Sequence, residues 1–326
     1  MSRMQPDQYP SAGGEERLGR LITLPGRLPV LDPTRVREHR HQYETPALIF
    51  SLIVIALLVV AGIWRQDWVL LLSITAVWLS MALLAFQSAT VNTLRGAAIT
   101  PTQFPKVFEI FEEVARQFNA PPTEAFVIRD SRAQAHAYGI GAPYTVVFHS
   151  ALLDALEPDE LRFVIGQQLG RIVYGHTRII VLLGGEAESL PALLGQLTWL
   201  RDLFFAWYKR VTMLSADRAG ALACGDLEVA FRTLVKLGTG NNQFHEVRGD
   251  DLVDQLYRVN EGINVVKAAV IWTTSPVPPQ LRRLLELVVW GGLPRQPAAQ
   301  AEAAASPPAP VTEGGMARVE DPERER

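Results

Sequence analysis

The sequence has little cysteine, little lysine and no large surplus of charge of either sign. A single cysteine among 326 residues, Cys224, excludes an internal disulfide, a CxxC redox motif and a multi-cysteine zinc site. We interpret this thiol as a small buried apolar side chain. With 34 acidic and 31 basic residues the formal charge is −3, which argues against a nucleic-acid partner, because such binding depends on neutralising phosphates. Only four of the basic residues are lysines, a composition typical of GC-rich bacterial genomes.

The two ends of the chain lack the apolar content that a folded core needs. Residues 1–45 are polar and contain five prolines and seven arginines, so we expect a flexible N-terminal arm. No apolar stretch follows the first basic residues, and a cleavable signal peptide is therefore not expected. Residues 293–326 are rich in alanine and proline and end in EDPERER, which predicts a disordered tail.

Two long uncharged runs follow the arm. Residues 47–64 and 68–86 each approach the roughly 20 residues that cross a bilayer core, and only three residues separate them. Because so short a connection forces the two helices to run antiparallel, we predict a transmembrane hairpin at 46–87. A buried hairpin in the core of a soluble protein is the alternative.

Charges on the two sides of the hairpin set its expected orientation. Arg35, Arg37 and Arg40 precede the first run and Arg95 follows the second, whereas the connecting turn carries one arginine and one aspartate. By the positive-inside rule, both termini and the globular part lie on the cytoplasmic side of the inner membrane. We therefore predict a chain that crosses the membrane more than once and has the lipid bilayer as one of its partners.

Residues 95–292 have the patterning of a folded domain. Apolar side chains at helical spacing, with start and stop signals, predict helices at 103–118, 158–174, 192–223, 226–237 and 279–290. Short strands are predicted at 126–129 and 145–149. We therefore expect an α+β domain that is mostly helical and contains a small sheet.

Two segments of this domain resemble a known family. Residues 126–176 read FVIRDSRAQAHAYGIGAPYTVVFHSALLDALEPDELRFVIGQQLGRIVYGH, and residues 213–226 read MLSADRAGALACGD. Their order resembles the catalytic core of the membrane-anchored M48 zinc metalloproteases, the HtpX-like group. In that family a strand, an NAFA-type segment and a second strand lead to a helix with HExxH, and ExxxD follows downstream. The resemblance implies a zincin-like peptidase domain behind an N-terminal membrane hairpin.

The departures from the family pattern fall on the residues that would carry the chemistry. The HExxH positions hold Gln167, Gln168 and Arg171, and the glutamate of ExxxD is Met213, whereas Asp217 is retained. Zinc prefers imidazole, thiolate or carboxylate, while amides and thioethers are poor ligands and a guanidinium has no free lone pair. Gln168 cannot accept a proton as a glutamate would. We therefore expect no bound zinc and no catalytic residue.

An internal ion pair is the expected substitute for the metal. The resemblance places Arg171 and Asp217 on two helices that pack together, so we predict an ion pair between them with Gln167 hydrogen-bonded nearby. The alternative is that Arg171 reaches solvent while Asp217 pairs with Arg210 or Arg218.

The resemblance also locates a candidate peptide-binding cleft. Zincin-type clefts hold an extended peptide along a sheet edge. The corresponding residues are Gln134, Ala135, His136, Ala137, Tyr138 and His149. A hydrogen-bonded structural role is the alternative for the two histidines. His176 does not restore a ligand pair, because nine residues after Gln167 it points to the opposite helix face.

Aromatic and basic side chains adjoin one another at 204–210. Four aromatic residues there precede Lys209 and Arg210, which suits the membrane interface, and core packing is the alternative. Glutamates at 186 and 188 argue against a third span.

Three functions follow from these observations. The retained scaffold and lost ligands favour an inactive M48-like pseudoprotease in the membrane that binds or scaffolds a partner protein or peptide. An active zinc metalloendopeptidase with atypical ligands is one alternative, and metal analysis separates the two. A purely structural subunit of a membrane complex is the other, and indifference of its partner to cleft mutations would favour it.

Overall fold

The structure is a computed structural model that describes residues 33–69, 95–182, 192–240 and 278–292, with isolated positions between these ranges; for 192–204 only the backbone is described. The chain divides into two units, Met1–Leu293 and Pro294–Arg326, and the described residues belong to the first. The expectations for residues 1–32 and for the tail at 293–326 fall outside the described residues.

Helices make up most of the described domain. They are α1 (Glu44–Trp64), α2 (Pro105–Gln117), α3 (Ser150–Ala155), α4 (Pro158–Val173), α5 (His176–Leu182), α6 (Ala192–Cys224), α7 (Leu227–Thr239) and α8 (Gln280–Trp290). A 3-10 helix, Pro33–His39, precedes α1. The five helices predicted in the domain are all present, each within two residues of its expected bounds.

One mixed sheet lies beside these helices. Its strands are β1 (Ala97–Ala98), β2 (Thr123–Ile128), β3 (Ala135–Tyr138) and β4 (Tyr144–His149), in the order β1-β2-β4-β3. β2 and β4 are parallel, while β1 is antiparallel to β2 and β3 is antiparallel to β4. The predicted fold class, mostly helical with a small sheet, is confirmed. The sequence does not predict β1, because two residues are too few to show alternation.

The ends of α4, the central helix, are set by local signals. Glu157 and Glu160 form a capping box, in which each carboxylate accepts a backbone N–H of the other residue. Pro158 occupies the first turn, and Gly175 follows the helix with φ +79°, as the sequence predicts. The buried Glu160 also pairs with Lys236 of α7, with Nζ 2.9 Å from Oε2. This pair ties the start of α4 to α7.

Two glycines let α6 pack closely across α4. A Cβ atom added at Gly166 or Gly170 would overlap the side chain of Ala223 or Ala219, respectively, on α6. Both alanines are buried. Small residues on both helices therefore bring the two backbones together. This close approach allows polar side chains of α4 to reach those of α6.

The helix α1 exposes a continuous apolar surface. Leu57, Val60 and Trp64 are 64%, 58% and 86% exposed. Among the described residues, α1 is the one helix long and apolar enough to cross a membrane. This finding is compatible with membrane anchoring near the N-terminus. The second predicted run, 68–86, lies mostly outside the described residues, so the hairpin stays a prediction.

The first turns of α1 pack on α6. Ala47, Phe205 and Tyr208 form a small buried cluster, and the rings of Phe50 and Trp207 lie 5.8 Å apart beside it. Phe205 and Tyr208 are almost fully buried. For these two aromatic residues the structure supports core packing over exposure at a membrane interface.

Residues 33–45 correct the expected boundary of the flexible arm. They form the 3-10 helix and the start of α1, and Val36 is buried. The Tyr174 hydroxyl donates to the Val36 carbonyl oxygen over 2.9 Å, and His41 and Glu44 are buried as well. Composition alone predicted flexibility for these residues because it does not show that hydrogen bonds of polar groups, in addition to apolar burial, hold the segment on the domain.

Candidate functional site

The residues expected at the degenerate site come together from α4 and α6. Gln167, Gln168 and Arg171 lie on α4 and Asp217 lies on α6, and all four are at most 8% exposed. Met213, one turn before Asp217, is half-buried. The Gln167 amide donates from Nε2 to Asp217 Oδ1 over 2.7 Å. The two motifs therefore meet in space, although 50 residues separate them in the chain.

A third helix supplies the positive charge at this site. Arg283 of α8 donates from Nη2 to Asp217 Oδ1 over 2.7 Å and from Nε to Asp217 Oδ2 over 2.9 Å. Two parallel hydrogen bonds make this a strong arrangement for a guanidinium and a carboxylate. Burial lowers the pKa of Arg283, but the charge and hydrogen bonds of Asp217 outweigh burial and raise it. Arg283 is therefore charged in the folded protein.

The guanidinium that binds Asp217 corrects the expectation for Arg171. We expected this ion pair from Arg171, with Arg210 or Arg218 as alternatives, and the structure gives the role to Arg283. Arg171 is buried and has interactions of its own. Sequence reasoning missed Arg283 because it lies in no motif and is 66 residues from Asp217. The available signal was weak: a charged residue on a helix predicted to pack in the domain needs a partner.

The donor atoms present do not suit a zinc ion. Gln167 offers an amide, Met213 offers a thioether, and both oxygens of Asp217 accept hydrogen bonds from Arg283. The fixed charge of Arg283 also repels a divalent cation. Among the described residues, no group of three His, Cys, Asp or Glu side chains is placed to hold a metal ion. The residues therefore do not fit the metal that the family resemblance implies.

Gln168 occupies the position that the resemblance assigns to the general base. Its side chain is 6% exposed, and its Oε1 has no hydrogen-bond donor within the described part of the chain. A carboxamide oxygen does not take up a proton near neutral pH. Gln168 therefore cannot activate a water molecule as a glutamate does.

The edge strand β3 carries most of the predicted cleft residues. In the described sheet it pairs with β4 alone. The His149 N–H donates to the Gln134 carbonyl oxygen over 3.0 Å, so those two residues form a hydrogen-bonded pair. Antiparallel alternation then directs the backbone N–H and C=O groups of Ala135 and Ala137 away from β4. These groups form an edge to which an extended peptide can add.

The two cleft histidines lie side by side. His136 is opposite Val147, and its ring centroid is 5.4 Å from that of His149. Both side chains are buried. Burial lowers the pKa of His149 and the neighbouring His136 lowers it further, while Asp130, 3.9 Å from Nδ1, acts in the opposite direction. His149 is therefore neutral at neutral pH.

Two other candidates from the sequence, His176 and Cys224, lie away from the Gln167–Asp217 pair. His176 begins α5, is fully buried, and places Nε2 2.8 Å from Oε1 of Glu44. Burial raises the pKa of the Cys224 thiol to about 12, and the thiol donates to the Asp226 carbonyl oxygen over 3.2 Å. Both side chains are thus committed to internal contacts.

Comparison with known families agrees with the motif order and the fold. The sequence model of peptidase family M48 matches residues 101–290, more than half of the chain. The chain belongs to peptidase family M48, whose members are metallopeptidases. No curated protein and no solved structure matches it. The matched range ends with α8 and so includes Gln167, Asp217 and Arg283.

Proposed function

We propose that this chain is a catalytically inactive, HtpX-like member of family M48 that holds an extended segment of a partner protein along β3. The observation that carries the proposal is the pairing of Asp217 with Arg283 and Gln167. A member that binds zinc at these positions needs ligands that coordinate the metal. Here the surviving carboxylate is bound instead to a buried cation.

The ion pair also explains how the domain stays folded without a metal. A structural zinc site contributes about 10–16 kcal/mol in binding free energy. In this chain the Asp217 carboxylate joins α4, α6 and α8 through three hydrogen bonds. The two helices that carry the ligand positions of the family pattern, α4 and α6, are therefore connected by side chains alone.

Membrane attachment places this binding edge near a bilayer. The exposed apolar surface of α1 supports an anchor, and we propose that the run at 68–86 completes a hairpin. Arginines before α1 and after the second run favour both termini and the domain on the cytoplasmic side of the inner membrane. A membrane-protein partner would then present a cytoplasmic segment to β3.

Metal analysis and a proteolysis assay test the loss of catalysis. The full-length protein is purified in detergent, exposed to zinc, desalted, and assayed for bound zinc and for cleavage of an unfolded protein. We expect substoichiometric zinc and no cleavage, because the donor set is unsuitable. The reversal of four positions, Gln167→His, Gln168→Glu, Arg171→His and Met213→Glu, serves as the positive control for zinc uptake. Stoichiometric zinc with cleavage by the unaltered chain would establish an active peptidase with atypical ligands.

A matched pair of variants tests binding along β3. Ala137→Pro removes an outward N–H without breaking a β3–β4 hydrogen bond, whereas Ala137→Ser keeps it. In pull-downs from detergent-solubilised native membranes, we expect one partner to be retained by the Ser variant and lost by the Pro variant. Equal capture by both variants would indicate a structural subunit whose partner does not use the edge.

A further inference from the structure

A short segment before α1 contacts the helices that build the Asp217 site. We call Val36–Glu44 the juxtamembrane clamp, and we call the side chains of Gln167, Asp217 and Arg283 the Asp217 cluster. The clamp reaches α4 at its C-terminal end, where the Tyr174 hydroxyl donates to the Val36 carbonyl oxygen over 2.9 Å.

On α6 the clamp binds a residue close to Asp217. Ser215 accepts a hydrogen bond from the His41 backbone N–H over 3.0 Å and donates to Glu44 Oε2 over 2.8 Å. Ser215 is fully buried, so water does not compete for these bonds. The clamp therefore holds α6 two residues from the carboxylate of the cluster.

The clamp also contacts α8, which carries Arg283. The rings of His39 and Trp290 meet edge to face with centroids 5.8 Å apart, and His41 Nε2 lies 4.0 Å from Glu286 Oε2. Glu286 is one helical turn from Arg283. One segment thus contacts α4, α6 and α8, the three helices whose side chains form the Asp217 cluster.

Glu44 joins the clamp to the membrane helix. It is both the last residue of the clamp and the first residue of α1, and it is 2% exposed. Its carboxylate accepts hydrogen bonds from Arg40 and Ser215 and lies 2.8 Å from His176 Nε2. A buried carboxylate that loses such partners is strongly destabilised. The base of α1 therefore cannot move without disturbing these contacts.

We propose that the juxtamembrane clamp couples the position of α1 to the geometry of the Asp217 cluster. Because the clamp is bound near both Asp217 and Arg283, its displacement changes the relative position of α6 and α8. α4 shares the cluster and also packs on β3, so the displacement reaches the strand edge. The inference deepens the proposed function by giving the same site a regulatory input, and it rests on the proposed membrane attachment of α1.

Hydrogen exchange of the full chain in detergent tests this coupling. Glu44→Gln removes the charge at the joint, and Ser215→Ala is a milder change that leaves Glu44 intact. Glu38→Gln is the matched control, because its side chain lies on the same segment and is 66% exposed. We expect amides of α8 and of residues 213–219 to exchange about five- to thirtyfold faster in Glu44→Gln, with β2 and β4 unchanged. Ser215→Ala should show the same pattern more weakly, and Glu38→Gln should match the unaltered chain.

Two outcomes would overturn the coupling. An equal rise in amide exchange rate over the whole domain means that Glu44 supports stability alone. An unchanged exchange rate in α8 means that Glu44 is not coupled to the Asp217 cluster. If Glu44→Gln does not fold, the exchange pattern of Ser215→Ala decides between these outcomes. Zinc uptake and partner capture are measured on the same variants. A selective α8 response in a chain that binds zinc and cleaves protein would keep the coupling and refute the inactive assignment.

Discussion

Two buried carboxylates, Asp217 and Glu44, are satisfied in different ways. The partners of Asp217 are Arg283 and Gln167, and all three residues lie inside the range matched to the family. Glu44 lies outside that range and binds residues on both sides of its boundary. The first carboxylate therefore holds the peptidase-type domain together, and the second attaches this domain to a helix suited to a membrane.

The two sites also differ in the groups that can gain a proton. The Asp217 cluster contains an amide, a carboxylate and a guanidinium, and no imidazole. The Glu44 site contains His176, an imidazole. The comparison teaches that similar burial can produce a fixed connection at one place and a pH-sensitive one at another.

Breaking the Asp217 pair should have the largest effect. Asp217→Asn leaves the Arg283 guanidinium buried beside an amide, and we expect a loss of about 3–5 kcal/mol in the free energy of unfolding. Chemical denaturation in detergent measures it. The double variant Asp217→Leu with Arg283→Met removes both charges and should recover most of the loss. A double variant as unstable as the single one would contradict this account of the cluster.

Glu44→Gln should cost less, about 1–3 kcal/mol, because one amide oxygen still accepts a hydrogen bond and the Arg40 guanidinium, whose side chain is 40% exposed, can turn to water. The same denaturation experiment applies, with Glu38→Gln as the exposed control. A loss as large as that of Asp217→Asn would remove the energetic distinction between the two carboxylates.

Gly170→Ala tests whether the Asp217 cluster depends on the close approach of α4 and α6. The added methyl group would overlap Ala219, and we expect a loss of about 1–2 kcal/mol, since overpacking exceeds the gain in helix propensity. Gly141→Ala is the control, because an added Cβ there has no heavy atom within 4 Å. Equal stability of the two variants would show that the helices separate freely.

Acidification should have the smallest effect on the free energy of unfolding, and it should act at the Glu44 site rather than at the Asp217 cluster. Burial lowers the pKa of His176 from its ordinary value of 6.5, with partial opposition from Glu44. Below pH 6.5 the unfolded chain therefore binds more protons than the folded chain. The free energy of unfolding then decreases as the pH is lowered, by up to about 1.4 kcal/mol per pH unit from this group. His176→Gln should flatten the dependence of the unfolding free energy on pH below about pH 6.5, the ordinary histidine value. An unchanged slope would assign the titration to other histidines.

The helices and the pairing of motifs were accessible from the sequence, while the partners of the buried charges were not. The end signals at Pro158 and Gly175 are local, so the bounds of α4 follow from neighbouring residues. Gln167 and Asp217 were placed together by the family pattern. Arg283 joins them only through the tertiary packing of α8, which no local pattern encodes.

The docking of residues 33–45 was hidden for a related reason. Polar composition predicts a flexible segment when its side chains are assumed to contact water. Here Glu44 meets Ser215 across 171 residues, and Val36 meets Tyr174 across 138. Such contacts depend on the finished domain surface, so composition alone could not reveal them.

The length of α6 has a mechanical consequence. At 1.5 Å per residue its 33 residues extend about 50 Å, well beyond the roughly 30 Å of a bilayer's hydrocarbon core. The same rod passes α1 at Tyr208 and carries Asp217 more than two turns further along. A helix without an internal break transmits tilt along its axis. A tilt of α6 near its contact with α1 would therefore change the distance between Asp217 and Arg283.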